Sequence, residues 1–165
     1  HKEAFRLGSN DQMVLYKVKD DQLGYTHYRY KQKYKNINVE GGEYIVHAKN
    51  GVAVTANGKM VNGFNLEVNP SVSKNEALNI VLNYVNAEKY MWEDEQEEEY
   101  LKKLKNNINT TYYPKPELII AINSGNLNLF SENYRLAYKI DIYTKVPDDA
   151  KSVYIDAKTG EIFKK

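Results

Sequence analysis

The chain has 165 residues, of which 42% are apolar and 27% charged, and its net charge is +1. Such a composition can bury a core and is not that of a disordered tail. Near-neutrality gives no global attraction to nucleic acid or anionic membrane, and no apolar run approaches the ~20 residues that span a bilayer.

The length suits one ordinary domain or two small ones. Charge is spread evenly: residues 1–70 hold 10 Lys/Arg and 7 Asp/Glu, and residues 71–165 hold 13 and 15. With no cysteine, disulfides, thiolate metal sites and thiol nucleophiles are excluded. The chain begins at His1 rather than Met and carries no signal peptide, so it is expected to be a processed or truncated piece of something longer. Tyrosine is unusually common, with 15 copies against 4 Phe and 1 Trp. Its apolar body and polar tip suit half-buried strands.

The first half reads as strands. Residues 13–19 alternate, with Val14, Tyr16 and Val18 on one face. Residues 25–35 form a longer alternating run: Tyr28, Tyr30 and Tyr34 point one way, and His27, Arg29, Lys31, Lys33 and Lys35 the other. Asn36-Ile37-Asn38 is a turn candidate. A strand over residues 39–48 is interrupted at Gly41-Gly42, where a bulge or a close backbone approach is expected. Lys49-Asn50-Gly51 predicts a hairpin, followed by a strand at 52–56, a turn at Asn57-Gly58 and a strand at 64–68.

The period then changes. Pro70 breaks the pattern, and Ser73-Lys74-Asn75-Glu76 has the form of a capping box. Ala77, Leu78, Val81, Leu82 and Val85 recur at helical spacing and predict an amphipathic helix over about 74–89, packed on a sheet. Residues 93–99 are acidic except for Gln96, and Lys102, Lys103 and Lys105 follow. Glu98 to Lys102 and Glu99 to Lys103 are favourable i,i+4 pairs, and the order acid then base suits the helix dipole. A second, more exposed helix is expected over about 94–105, with a thin apolar stripe of Leu101, Leu104 and Ile108. After a loop at 106–116, strands are expected at 117–122, 126–130, 134–143, 152–156 and 161–163, with turns at Ser124-Gly125-Asn126 and Lys158-Thr159-Gly160. This order predicts an α+β fold of two small domains, 1–69 and 70–165, both with antiparallel sheets and the second with a helix packed on its sheet.

At several places the residues resemble a known family. His27-Tyr28-Arg29-Tyr30-Lys31-Gln32, Tyr34, and Val39-Glu40-Gly41-Gly42-Glu43-Tyr44-Ile45-Val46-His47 resemble the fungalysin/thermolysin propeptide domain. Pro70-Ser71-Val72-Ser73, Glu76-Ala77, Pro116-Glu117-Leu118-Ile119-Ile120, Leu136-Ala137-Tyr138-Lys139-Ile140-Asp141, and Val153-Tyr154-Ile155-Asp156-Ala157-Lys158-Thr159-Gly160-Glu161-Ile162 resemble the PepSY domain that follows it in pro-regions of thermolysin-like zinc metallopeptidases. Residues 87–113 resemble a linker-like helical and acidic insertion seen in some bacterial members.

The resemblance implies a secreted, non-catalytic pro-region. Its expected roles are to assist folding of a cognate metallopeptidase catalytic domain, to inhibit it in cis, and to be removed by proteolysis. A connector beyond Lys165 would be expected to reach the active-site cleft. Arg29 and Gln32 correspond to the signature pair of the first domain, and Gly41, Gly42, Tyr138, Asp156 and Gly160 are further signature or interface candidates. Two other readings are a free-standing secreted PepSY-type module that regulates a protease or binds a ligand, and a small hydrolase built on His27, His47 and a carboxylate.

The chemistry expected of an enzyme is thin. The zinc motif His-Glu-x-x-His is absent, and His1, His27 and His47 are never four residues apart. His27 and His47 could approach across paired strands and bind a metal together with a carboxylate, but a structural or solvent-exposed role is the reading adopted, with no metal and no cofactor assigned. There is no Gly-x-Ser-x-Gly elbow and no phosphate-cradling loop. Asp156 and Glu161 flank a turn, and turn chemistry accounts for them. The stripe of Arg29, Lys31, Lys33 and Lys35 reads as the solvated face of a strand rather than a nucleic-acid contact. Asn109-Thr110-Thr111 fits the N-glycosylation pattern.

Overall fold

The computed structural model describes residues 7–123 and 130–165. The fold is α+β, mostly antiparallel sheet with two helices packed on it. The chain divides into two compact units. One ends at Asn69 and takes back Ile119–Leu136; the other comprises Pro70–Leu118 and Ala137–Lys165. No helix among the described residues is long and apolar enough to cross a membrane.

The first unit is built on four strands in successive antiparallel hairpins, β1 (Asp11–Asp20), β2 (Tyr25–Tyr34), β3 (Ile37–Lys49) and β4 (Val52–Lys59). The β3–β4 turn is Asn50-Gly51, both residues at positive φ, as a tight hairpin of matching twist requires. The β2–β3 turn is Lys35-Asn36, at φ 46° and 67°. The turn therefore falls one residue earlier than expected, because Tyr34 pairs with Ile37.

Near its start β3 also pairs in parallel with β6 (Glu117–Ile122), through Asn38 with Ile119 and Val39 with Ile120. Further along, the same edge of β3 pairs with β4 from Glu43 onward. Between these pairings lies an irregularity: Asn38 faces Lys33 and Glu43 faces Lys31, so residues 39–42 bulge opposite Gln32 alone.

Two expectations fail in this unit. Asn57-Gly58 is not a turn but lies inside β4, where Gly58 pairs with Tyr44. A Cβ on Gly58 would sit 2.3 Å from the Glu43 carbonyl oxygen and 2.6 Å from Tyr44 Cα, so glycine is needed there for close strand approach. Residues 64–68 form no strand. Phe64 instead inserts its ring between Tyr34 and Tyr134, with centroids 5.2 and 5.5 Å away, and the Lys35 ammonium donates to Leu66 O. Tyr34 is in the core, while Tyr28 and Tyr30 are only half-buried.

In the second unit α1 (Lys74–Val85) starts as expected. Ser73 accepts from the Glu76 amide and Glu76 reaches back to the Ser73 amide. Ala77, Leu78 and Val81 are buried. The helix stops earlier than about residue 89 because Asn86 adopts the left-handed conformation, and its amide bonds to Leu82 O. The chain then makes the two-residue strand β5 (Lys89–Tyr90), a single 3-10 turn (Met91–Glu93) and α2 (Glu95–Lys105). Of the stripe on α2 only Leu101 is buried, while Leu104 and Ile108 are exposed. Glu99 pairs with Lys103 at 3.5 Å. Glu98 turns instead to Thr111 Oγ1 and the Tyr112 amide, fastening the following loop.

The sheet of this unit is formed by β7 (Tyr134–Val146), which extends beyond residue 143, β8 (Asp149–Asp156) and β9 (Ile162–Lys164), all antiparallel, with β5 on β7. Tyr138, Ile140, Ile142 and Thr144 of β7 are buried at alternate positions. The expected turn and strand over 124–130 fall, but for Phe130, outside the described residues.

Gly42 supports a measurable prediction. A Cβ there would meet Gln32 Cβ at 2.7 Å and Gln32 Oε1 at 2.8 Å. Gly42→Ala should therefore destabilise the chain by about 1–3 kcal/mol through overpacking, measured by urea unfolding. Gly51→Ala meets nothing within 4 Å but sits at φ 76°, and should lose only about 1 kcal/mol.

Candidate functional site

The residues singled out in sequence fall into three groups. Gln32 and Gly42 meet at the β3 bulge. The Gln32 side chain is fully buried. Its Nε2 donates to Val61 O at 2.6 Å and to Asp11 Oδ1 at 3.1 Å, and its Oε1 accepts from the Val61 amide at 2.9 Å. The amide thus pairs with Val61 as a strand backbone would, and every strong hydrogen-bonding group involved is satisfied. Asp11 passes the link on, because its Oδ2 accepts from the Gly8 amide. Gly41, at φ 76°, bends the chain into the bulge. Glu40, within the same bulge, accepts from the Ile122 amide through Oε2, and its carbonyl accepts from the Tyr134 hydroxyl. Burial, and then the Glu40 charge, push the Tyr134 phenol up to about 12.

Arg29 lies apart from this cluster. Its position alternates with Gln32 along β2, and its Nη1 contacts Glu43 Oε1 at 3.1 Å with both side chains more than a third exposed. Exposed pairs of this kind contribute little to stability.

Tyr138, Asp156 and Gly160 converge in the second unit around the segment leading into α1. The Tyr138 hydroxyl donates to Val72 O, and burial followed by the Glu76 charge raises its pKa. Ala157 O accepts from the amides of Ser71 and Val72. Asp156 Oδ1 accepts from the Lys158 and Thr159 amides, its carbonyl from Gly160, and its amide donates to Glu161 O. Gly160 takes φ 79°, with Ile80 of α1 as the nearest neighbour of any added Cβ. This is the geometry of a side-chain-stapled turn.

Sequence reasoning passed over a further node. Asp94 caps α2, its Oδ1 accepting from Gln96 and Glu97 amides, while its Oδ2 meets Lys145 at 2.7 Å and Lys89 at 2.8 Å. Lys145 also reaches Glu97. The Lys145 and Lys89 ammonium groups hold the Asp94 carboxyl far below the usual aspartate range, and Lys145 is raised in turn by Asp94 and Glu97. Asp immediately before a run of Glu was the only local signal.

His27 and His47 do approach across β2 and β3, with ring centroids 4.8 Å apart. Among the described residues no three His, Asp or Glu side chains are grouped to hold a metal ion.

Comparison with known proteins accords with this picture. The fungalysin/thermolysin propeptide motif matches residues 11–60, and the peptidase propeptide and YPEB domain matches residues 71–165. Two propeptide modules in this order make the chain a protease pro-region of the thermolysin-like type. By the extent of the second match, the chain belongs to the peptidase propeptide and YPEB domain family. It is 27% identical over 165 residues to the thermostable neutral protease NprT of Geobacillus stearothermophilus, a match covering 98% of this chain and 27% of that protein. The chain thus spans about a quarter of that relative's length.

Two outcomes test the roles read from these contacts. Gln32→Leu should lose about 3 kcal/mol or more, because it strands the Val61 amide and carbonyl and the Asp11 carboxylate in a buried place; urea unfolding reads this directly. Asp94 tests the second unit by pH. Its folded pKa is depressed, so its contribution is complete above the unfolded aspartate value and is lost as pH falls below it. Trp92, the single tryptophan, stacks on Tyr90 at 4.2 Å and reports on this region. Its fluorescence should change on acidification below the ordinary aspartate range, and Asp94→Asn should produce the change at neutral pH.

Proposed function

We propose that this chain is an intramolecular chaperone and cis inhibitor of a secreted thermolysin-like zinc metallopeptidase, and that it is itself non-catalytic. The observation that carries the reading is the pair of propeptide modules in tandem, together with alignment over nearly the whole chain to a segment of a neutral protease. The partner is the cognate catalytic domain, and the two act outside the cell.

The physical logic follows from mass action. A large catalytic domain with slow non-local pairing gains from a prefolded surface that binds its native state. Leu15 and Val18 on β1, and Val52 and Val54 on β4, are exposed apolar side chains of the kind a partner surface covers. The same contacts block the enzyme while the two are tethered at high effective concentration, and cleavage of the tether lets the pro-region leave. Arg29 belongs to this interface in the proposal. Its exposed pairing with Glu43 means that removing it should disturb binding more than folding.

The test is refolding and inhibition in trans with a thermolysin-like peptidase, ideally the cognate one. The chain should raise the yield of active enzyme from denaturant and inhibit the native enzyme dose-dependently, with inhibition fading as the chain is digested. Arg29→Ala should keep its circular dichroism and unfolding midpoint but lower the refolding yield several-fold. Neither assistance nor inhibition with the cognate enzyme would sink the proposal and favour a free-standing module. An unchanged yield with Arg29→Ala would remove Arg29 from the interface.

A further inference from the structure

Antiparallel pairing places His27 of β2 directly opposite His47 of β3. Their rings meet nearly at right angles, with Nδ1 facing Nδ1 at 2.7 Å. The other nitrogen of each ring is already engaged: His27 Nε2 lies 3.0 Å from Asp21 Oδ2, and His47 Nε2 lies 2.6 Å from Asn57 Oδ1.

These second partners decide where the hydrogens are. Asp21 Oδ1 accepts from the amides of Leu23 and Tyr25 at 2.8 and 3.0 Å. A carboxylate only accepts, and the amide oxygen of Asn57 likewise only accepts. With the Asn57 oxygen turned toward the ring, both Nε2 atoms carry hydrogen and donate; the orientation of that amide selects this tautomer. Neutral rings in that tautomer each present a lone pair at Nδ1. Two lone pairs 2.7 Å apart repel unless a positive centre lies between them.

Metal-ligating histidines ordinarily donate their remaining ring N–H to a carboxylate or a carbonyl, which fixes the tautomer and aims the lone pair. Both rings here are prepared in that way, one by a carboxylate and one by a carbonyl. We propose that His27 and His47 form a two-histidine site for a zinc-type divalent cation, bound through both Nδ1 atoms and oriented by Asp21 and Asn57. Imidazole suits zinc, copper and nickel. With bonds of about 2.0–2.1 Å in tetrahedral geometry the two nitrogens stand about 3.3 Å apart. The pair must therefore open by roughly 0.6 Å, within reach of side-chain torsions at a half-buried cross-strand position. Among the described residues no third protein ligand joins them. The remaining positions go to water or to a donor from a partner, and the site is weaker and more exchangeable than a four-ligand structural one. Lys19, opposite His27 on β1, also weakens it. The inference does not depend on the pro-region reading.

The test uses the whole chain, stripped with a chelator and titrated with Zn²⁺ by calorimetry and with Co²⁺ by visible absorption. Long-range proton–nitrogen NMR of the imidazoles is the second readout. One Zn²⁺ should bind per chain, both Nδ1 resonances should move to metal-bound values, and both Nε2 should keep their hydrogens. His27→Ala and His47→Ala should abolish binding, and His1→Ala should leave it unchanged. Asp21→Asn retains both ligands and should weaken binding about tenfold, so the proposal stays testable if an alanine variant misfolds. No saturable binding, binding that survives both histidine substitutions, or a proton held at Nδ1 and indifferent to Zn²⁺ would overturn it; in the last case a shared proton fills the gap.

Discussion

The first unit hangs on one buried amide. Gln32 stands opposite a four-residue bulge in β3, and its side chain takes the place of a backbone partner for Val61. Without it the segment after β4 would have no ladder to join, and Val61, fully buried, would leave two peptide groups unpaired. The bulge is equally what lets β3 change partners along one edge, from β6 to β4. Gly42 makes room for the amide, and Glu40 uses the same bend to reach Ile122 and Tyr134. Strand pairing, segment docking and aromatic packing of Tyr34, Phe64 and Tyr134 therefore share one irregularity.

In the second unit the corresponding work is done by turns and caps. Ala157 O, the Tyr138 hydroxyl and the Ser73–Glu76 box all act on the few residues before α1. The Asp156–Gly160 turn that presents Ala157 is itself held by its own aspartate. At the far end of β7, Lys145 ties α2 to the sheet through Asp94 and Glu97. Several residues singled out in the sequence thus have structural occupations. Arg29 differs: its side chain is more than a third exposed and meets Glu43 across the surface.

Local chemistry was legible wherever its signal spans a turn or less. Ser73 and Glu76, Asn50-Gly51 and Asp156 to Gly160 all act within four residues, and each forms the cap or turn its spacing implies. Asn57-Gly58 carries the same kind of signal yet lies in a strand, because the Tyr44 backbone approaches too closely for any Cβ. The apolar run 64–68 was read as a strand, but Phe64 is used as a wedge between two tyrosines, one of them seventy residues away in sequence.

By itself the sequence determined the α+β class and the start of α1, since composition, periodicity and caps depend on near neighbours; the order of the two propeptide modules rests on resemblance to a family. Only the tertiary structure decided which polar side chains are buried and which meet. Gln32 stands out in sequence through its resemblance to a family signature, but only the folded chain shows its amide paired with the Val61 backbone. His27 and His47 are twenty residues apart; their approach across paired strands could be foreseen, but only the register sets them directly opposite with Nδ1 facing Nδ1. Register is fixed by the sum of packing along whole strands, so no local pattern announces which distant residue will stand opposite.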